Sequence, residues 1–186
     1  VVGGGGYAWL WNKGEGHVVS LGTLGGNLSG AWGINDVGQV VGQAKTSDGD
    51  LHAFLWTDTD GDWRRDPDEM IDLGTLGGNY SIARDINNSG QVVGRARDAD
   101  GRDQAFIWEN GVMTDLNTLI PADSGWHLSE ATAINNVGQI VGYGTSPNPD
   151  MACSAFVLTV VPEPTTLLLF ASGVLGLTNF VLRRKG

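Results

Sequence analysis

Apolar residues in this chain fall in short runs closed by Gly, Asn or Asp, and the same runs return in the same order. One phrase leads from an apolar stretch into a turn and out again. It reads Ala31-Trp-Gly-Ile-Asn-Asp-Val-Gly-Gln-Val-Val-Gly42, then Ala83-Arg-Asp-Ile-Asn-Asn-Ser-Gly-Gln-Val-Val-Gly94, then Ala131-Thr-Ala-Ile-Asn-Asn-Val-Gly-Gln-Ile-Val-Gly142. A second phrase, apolar at consecutive positions, follows each: His52-Ala-Phe-Leu-Trp56, Gln104-Ala-Phe-Ile-Trp108 and Ser154-Ala-Phe-Val-Leu158. An earlier copy is Tyr7-Ala-Trp-Leu-Trp11. A third phrase, Leu21-Gly-Thr-Leu-Gly-Gly-Asn27, recurs as Leu73-Gly-Thr-Leu-Gly-Gly-Asn79 and degenerates to Leu116-Asn-Thr-Leu-Ile-Pro121. The equivalent Ile34, Ile86 and Ile134 lie 52 and 48 residues apart. Self-similarity in a fixed order marks a repeat architecture.

Each unit predicts four short strands. The first runs from the region of Ser29, Ser81 or Ser129 to the Ile-Asn pair. Asn-x-x-Gly then turns the chain, Asn satisfying local backbone groups and Gly taking the left-handed position. Gln-Val-Val-Gly is the second strand. The Ala-Phe-Leu-Trp run is the third, buried on both faces because its apolar residues do not alternate with polar ones. Met70–Leu73 and Val112–Leu116 exemplify the fourth. Strands covered on both faces require neighbouring units to stack sheet on sheet. The expected fold is therefore all-β, with β-propeller-like four-stranded repeats. A linear β-solenoid competes with the propeller. The predicted boundaries are a partial unit at 1–21, units at about 22–73, 74–116 and 117–160, and a tail at 161–186. The chain opens inside a unit, Val1-Val2-Gly3 matching Val40-Val41-Gly42. Three units and a part are too few to close a propeller, so the expectation is an incomplete ring from a longer gene product.

Composition agrees with many strands and tight turns, since 29 residues are Gly and 7 are Trp. The tail sets Glu163 against Arg183, Arg184 and Lys185, which leaves 8 basic and 20 acidic residues in 1–160, a net of −12. A surface this acidic repels phosphate backbones, so nucleic acid is not an expected partner. Cys153 is the only cysteine, which rules out an intrachain disulfide and thiolate-rich zinc sites.

The Gly-Thr-Leu-Gly-Gly, Ile-Asn-x-x-Gly-Gln-Val-Val-Gly and His-Ala-Phe-Leu-Trp phrases resemble the HAF family of extracellular repeats over about residues 1–160. The resemblance implies an extracytoplasmic repeat protein with no assigned activity. Gln104 and Ser154 depart from the family's His, and Asn117-Thr-Leu-Ile-Pro121 from its glycine phrase.

Residues 165–182 carry no charge. As a helix they would span about 27 Å, near the hydrocarbon thickness of a bilayer. Arg183, Arg184 and Lys185 follow as a basic stop, which would stay cytoplasmic and place the repeats across the inner membrane. Before the run stands Pro162-Glu-Pro164, whose prolines prevent helix continuation and hold the backbone extended for a peptidase. Pro162, Glu163, Pro164, the apolar run and the basic end together resemble the PEP-CTERM sorting signal. That resemblance implies processing by an exosortase, an integral-membrane cysteine peptidase, followed by release to the cell surface or to an extracellular polysaccharide layer.

Candidate chemistry is sparse. Asp58, Asp60, Asp62, Asp66 and Glu69 occupy places one, three, five, nine and twelve of an EF-hand-like loop, the oxygen-rich pattern that calcium favours. Against it, Trp63 stands where an EF-hand has its invariant Gly, and no flanking helices are predicted. A solvated acidic hairpin is the alternative. Further acids sit in the loops between second and third strands: Asp48 and Asp50, then Asp98, Asp100 and Asp103, then Asp150. The repeated Asn35, Asn87 and Asn135 read as turn formers, and His17, His52 and His127 have no neighbouring motif. The sequence favours a non-catalytic surface or matrix protein, with a lectin-like carbohydrate- or calcium-binding module as the alternative and a propeller enzyme third.

Overall fold

A computed structural model of the chain describes residues 2–3, 6–12, 14, 16–64, 66, 68–148, 153–160, 166–170 and 179–183. The strands are β1 (Val2–Gly3), β2 (Ala8–Asn12), β3 (His17–Gly22), β4 (Gly25–Ile34), β5 (Val40–Thr46), β6 (Leu51–Trp56), β7 (Met70–Asp72) and β8 (Gly77–Ile86). They continue as β9 (Val92–Asp98), β10 (Asp103–Glu109), β11 (Val112–Asp115), β12 (His127–Ile134), β13 (Gln139–Thr145), β14 (Ser154–Val160), β15 (Thr166–Phe170) and β16 (Asn179–Arg183). A 3₁₀ turn covers Leu116–Leu119.

The strands pair as antiparallel meanders. β4–β7 make the first and β8–β11 the second, with each strand paired to the next in sequence. β12–β13–β14 begin the third, and β1–β2–β3 form the partial unit. A single parallel bridge, Leu51 to Tyr80, ties the first two units at their margin.

Local chemistry explains the meander. At each Asn-x-x-Gly turn the glycine is left-handed, with φ of 86° at Gly38, 77° at Gly90 and 77° at Gly138. The turn Asn accepts from the backbone of the following Gln, Gln39 N reaching Asn35 Oδ1 at 2.9 Å. One residue of the first strand bulges in every unit, between Ala31 and Gly33, Ala83 and Asp85, and Ala131 and Ala133. The glycine closing the first phrase faces the Phe of the third strand, in the pairs Gly42–Phe54, Gly94–Phe106 and Gly142–Phe156. A Cβ on any of these glycines would come within 3.0 Å of that ring. Two phrases that look independent in the sequence are thus one packing unit: the ring lies over the glycine.

Three apolar clusters form the core, each made between consecutive units. β2 and β3 supply Ala8, Leu10, Val19 and Leu21 against Ala31, Val40, Phe54 and Trp56 of the first unit. The first unit offers Val41, Ala53 and Leu55 to Ala83, Val92, Ala96 and Phe106 of the second. The second offers Val93, Ala105 and Ile107 to Leu128, Ile140, Phe156 and Leu158 of the third. Burying one such Phe contributes about 1.5–3 kcal/mol, so an isolated unit would lose the burial that its neighbours provide. The expected all-β class is observed, and no propeller is identified among the described residues.

The tail corrects the prediction. No helix among the described residues is long and apolar enough to cross a membrane. Within the run expected to be helical, β15 pairs with β14 and β16 with β15, so Thr166–Phe170 occupies the fourth-strand place of the third unit. An uncharged apolar run satisfies a strand as well as a helix, and here the free edge of β14 supplies the pairing. Gly173 and Gly176 interrupt the run and weaken a helix by roughly 1 kcal/mol each. Of the basic stop, Arg183 ends β16 opposite Thr166. Arg184 and Lys185 lie outside the described residues, as do Pro162, Glu163 and Pro164.

Candidate functional site

The acidic loop joins β6 to β7 and is held by its own carboxylates. Asp58 Oδ1 accepts from Gly61 N at 2.8 Å, Asp60 Oδ1 from Asp62 N at 3.1 Å, and Asp62 Oδ1 from Arg64 N at 2.7 Å. Buried Glu69 accepts from Thr59 N at 3.0 Å and Asp66 N at 3.3 Å, closing the loop from its far end. Trp63 adopts φ 54°, the left-handed conformation that the EF-hand assigns to glycine at that place. Its ring packs 6.5 Å from that of Trp56, which anchors the loop on the core. The five predicted acids divide into two overlapping groups. Ligand oxygens of Asp58, Asp60 and Glu69 lie within 4.8 Å of one another, and so do those of Asp60, Asp62 and Asp66.

Among the other loop acids, Asp98, Asp100 and Asp103 are engaged locally. Asp98 accepts from Arg102 N at 2.9 Å, from the Gln104 amide at 2.7 Å and from Asp100 N at 3.0 Å. The Arg102 backbone bond, then the Gln104 side chain, hold its carboxyl below the usual value. Asp103 pairs with Arg95 at 3.2 Å and Arg97 at 3.4 Å, and Arg102 reaches Asp100 at 3.2 Å. Asp150 lies outside the described residues. The histidines do not converge: His52 Nδ1 is 2.8 Å from Asp72 Oδ2, and His127 Nε2 is 3.1 Å from the Asp103 carbonyl.

Repeated polar residues hold the units to one another. Asn35 Nδ2 donates to the Asn87 carbonyl at 3.0 Å, and Asn87 Nδ2 donates to the Asn135 carbonyl at 3.2 Å. One residue on, Asp36 N reaches Asn88 Oδ1 at 3.0 Å and Asn88 N reaches Asn136 Oδ1 at 2.8 Å. The same two steps therefore link the first unit to the second and the second to the third. Buried Ser29 accepts from Ala8 N at 2.8 Å and donates to the Gly22 carbonyl at 2.5 Å. Ser81 repeats this with Ala53 N and the Gly74 carbonyl. In the third unit Asn117 takes over, bonding both Leu128 N and the Leu128 carbonyl.

One cluster escaped the sequence reading. Glu130, 2% exposed, sits between the second and third units. The Arg84 guanidinium and the Tyr143 hydroxyl both donate to its carboxylate, and Arg95 Nη1 stands 3.6 Å from it. The Arg95 and Arg97 guanidinium carbons lie 5.3 and 5.2 Å from the Tyr80 ring centroid. The hydrogen bond to Glu130, aided by desolvation, pushes the Tyr143 phenol above its usual value. The available signal was positional, because Glu130 stands where the other units have Gly30 and Ile82.

Stacked β-meander units, joined through the turn Asn side chains and through Ser29, Ser81 and Asn117, define a β-repeat protein. Residues 24–150 match the family described as Protein of unknown function (DUF3466), and the chain belongs to that family. Residues 160–185 match the PEP-CTERM protein-sorting motif, which implies an exported protein processed by an exosortase. No curated protein and no solved structure matches the chain.

Proposed function

We propose that the chain is a non-catalytic, exported repeat scaffold of the cell surface or extracellular matrix, delivered by exosortase processing of its tail. The sorting motif at 160–185 carries this reading. The fate of the repeated polar groups supports it, because Asn35, Asn87, Ser29 and Ser81 are all taken up in bonds between units. The likeness of the repeat phrases to HAF-type extracellular repeats points the same way. Fractionating a host with and without its exosortase tests the proposal. The chain should reach the surface or medium only with the peptidase, and equal release in both strains would defeat the reading.

A calcium- or carbohydrate-binding module is the second reading, favoured by the convergence of Asp58, Asp60 and Glu69. Each carboxylate oxygen already capping an amide keeps a second lone pair for a hard cation.

A further inference from the structure

The second unit has a described unit packed on each side, so the exposure of its side chains does not depend on what adjoins either end of the chain. Its residues that depart from the repeat lie together. Arg84 is the bulged residue of β8, in the place of Trp32 and Thr132. Arg95 and Arg97 follow on one face of β9, where the other units have Gln43 and Lys45 or Tyr143 and Thr145. A bulge re-aims one side chain, and here it brings Arg84 to the Glu130 carboxylate that Arg95 also approaches. Arg84, Arg95 and Arg97 are 31%, 25% and 45% exposed, so all three side chains remain accessible.

Hydrogen-bonding capacity at this place is one-sided. Glu130 accepts from Arg84 and Tyr143, and Asp103 accepts from Arg95 at 3.2 Å and from Arg97 at 3.4 Å. Both carboxylates are therefore engaged. An arginine carries five N–H donors and no acceptor. Arg84 and Arg97 each donate through Nε alone, so their terminal nitrogens have no hydrogen-bond partner among the described residues. Arg95 donates through Nη1 and Nη2, and its buried Nε has no such partner either. Three guanidinium groups meet two carboxylates, a local positive surplus in a region whose net charge is −12.

Excess donors with excess positive charge call for a negatively charged acceptor. A guanidinium offers two parallel N–H groups to the two oxygens of a carboxylate, a fit that an ammonium lacks. Aromatic rings stand beside the arginines: Trp32 at 5.8 Å from the Arg84 guanidinium carbon, Tyr80 at 5.3 Å and 5.2 Å from those of Arg95 and Arg97, and Tyr143 on Glu130. Flat apolar surface around a few fixed polar groups suits a carboxylate carried on a sugar ring better than a small inorganic anion.

We propose that Arg84 and Arg97, linked through Arg95, bind the carboxylate of a uronic acid, either as the free sugar acid or as a residue of an acidic polysaccharide. The site shares no residue with the acidic β6–β7 loop, so it and the calcium reading stand or fall separately.

Isothermal titration calorimetry of the full chain at physiological ionic strength tests this with galacturonate, polygalacturonate and the methyl-esterified polymer. Saturable binding of both acid forms assigns the site to the sugar acid, and binding of the acidic polymer alone assigns it to the polysaccharide. The ester keeps the ring, loses the charge and should not bind. Arg97→Gln removes the unpaired terminal donors and leaves Asp103 paired with Arg95, so its circular dichroism should match wild type. It should weaken binding about tenfold or more, the loss of one charge-assisted hydrogen bond. Arg84→Lys keeps a charge beside Glu130 without the fork and should weaken binding as much. No binding of either acid form, equal binding of the ester, or wild-type affinity in either variant overturns the proposal. Displacement by an equal concentration of inorganic sulfate would show an unselective cationic patch and overturn it as well.

Discussion

The Asn87 side-chain amide donates to the main-chain carbonyl of Asn135 at 3.2 Å, joining residues 48 positions apart in chemically equivalent turns. The same Asn accepts from Ser89 N and Gln91 N within its own turn. One side chain thus shapes a hairpin and fastens it to the next unit, which explains why the turn phrase is the most faithfully repeated in the chain.

Asn87→Ala should therefore cost more than Asn135→Ala. Both lose the turn bonds, but only Asn87 is buried and bound to a following unit. An intramolecular hydrogen bond contributes about 1 kcal/mol, and a buried group left unpaired costs about 1–3 kcal/mol. Urea unfolding of both variants measures the difference. Equal midpoints would show that the link between turns adds nothing.

Turns, strands and buried Phe residues were legible in the sequence because their determinants are local and returned three times. Gly38, Gly90 and Gly138 announce the turns, and Phe54, Phe106 and Phe156 announce the core. The Glu130 cluster was not legible. Its partners Arg84 and Tyr143 lie 46 and 13 residues away, and it occurs at one junction only. Ser29 and Ser81 read as strand starts, since nothing local tells that their hydroxyls bridge to the preceding unit. The sorting motif of the tail was legible, whereas the helix expected over 165–182 was not distinguishable from paired strands such as β15 and β16, because length and lack of charge suit both.

Glu130→Ala should be among the most damaging single substitutions. It removes the acceptor for Arg84 and Tyr143 and the counter-charge of Arg95. Breaking a buried pair from one side costs about 3–5 kcal/mol, and partial solvation of the two arginines lowers this to about 2–3 kcal/mol. Thermal unfolding should show a large drop, with Glu130→Gln losing less because its carbonyl remains an acceptor. A change below about 0.5 kcal/mol, the range of ordinary surface substitutions, would refute the structural role.

Tyr143 makes the same cluster sensitive to alkali. Its phenol is raised above the unfolded value because the neutral hydroxyl donates to Glu130. A group with a raised folded-state value contributes stability that is complete below the unfolded value, about 10, and lost as pH rises through the folded one. Tyr143→Phe should lower stability at pH 8 and flatten the loss above pH 10. Parallel pH profiles for the two proteins would contradict the assignment.

The acidic loop gives a direct calcium test. A cation bound only by the native state raises the melting temperature, by an amount that grows with its concentration. Millimolar Ca²⁺ should stabilise the full chain, and Asp60→Ala should abolish the effect because Asp60 belongs to both oxygen groups. Asp62→Ala, which touches one group only, should reduce it. No shift for wild type, or an equal shift in Asp60→Ala, leaves an ordinary solvated loop.

The tail offers the sharpest test of function. The matched motif covers 160–185 and contains Pro162, Glu163 and Pro164 followed by the apolar run and the basic end. Proline lacks an amide proton and fixes φ near −65°, so a Pro-Glu-Pro sequence disfavours helix and suits the extended form in which a peptidase binds its substrate. In a host with an exosortase the mature chain should lose everything beyond the Pro162–Pro164 region. Pro162→Ala with Pro164→Ala should leave uncut protein in the cell, because the segment can then fold into regular structure. Neutral residues at Arg183, Arg184 and Lys185 should lower the cut fraction by a different route, leaving the Pro-Glu-Pro segment itself intact. Mass spectrometry of the carboxyl terminus separates these outcomes. Released protein still ending at Gly186 would show that the segment is not a processing site.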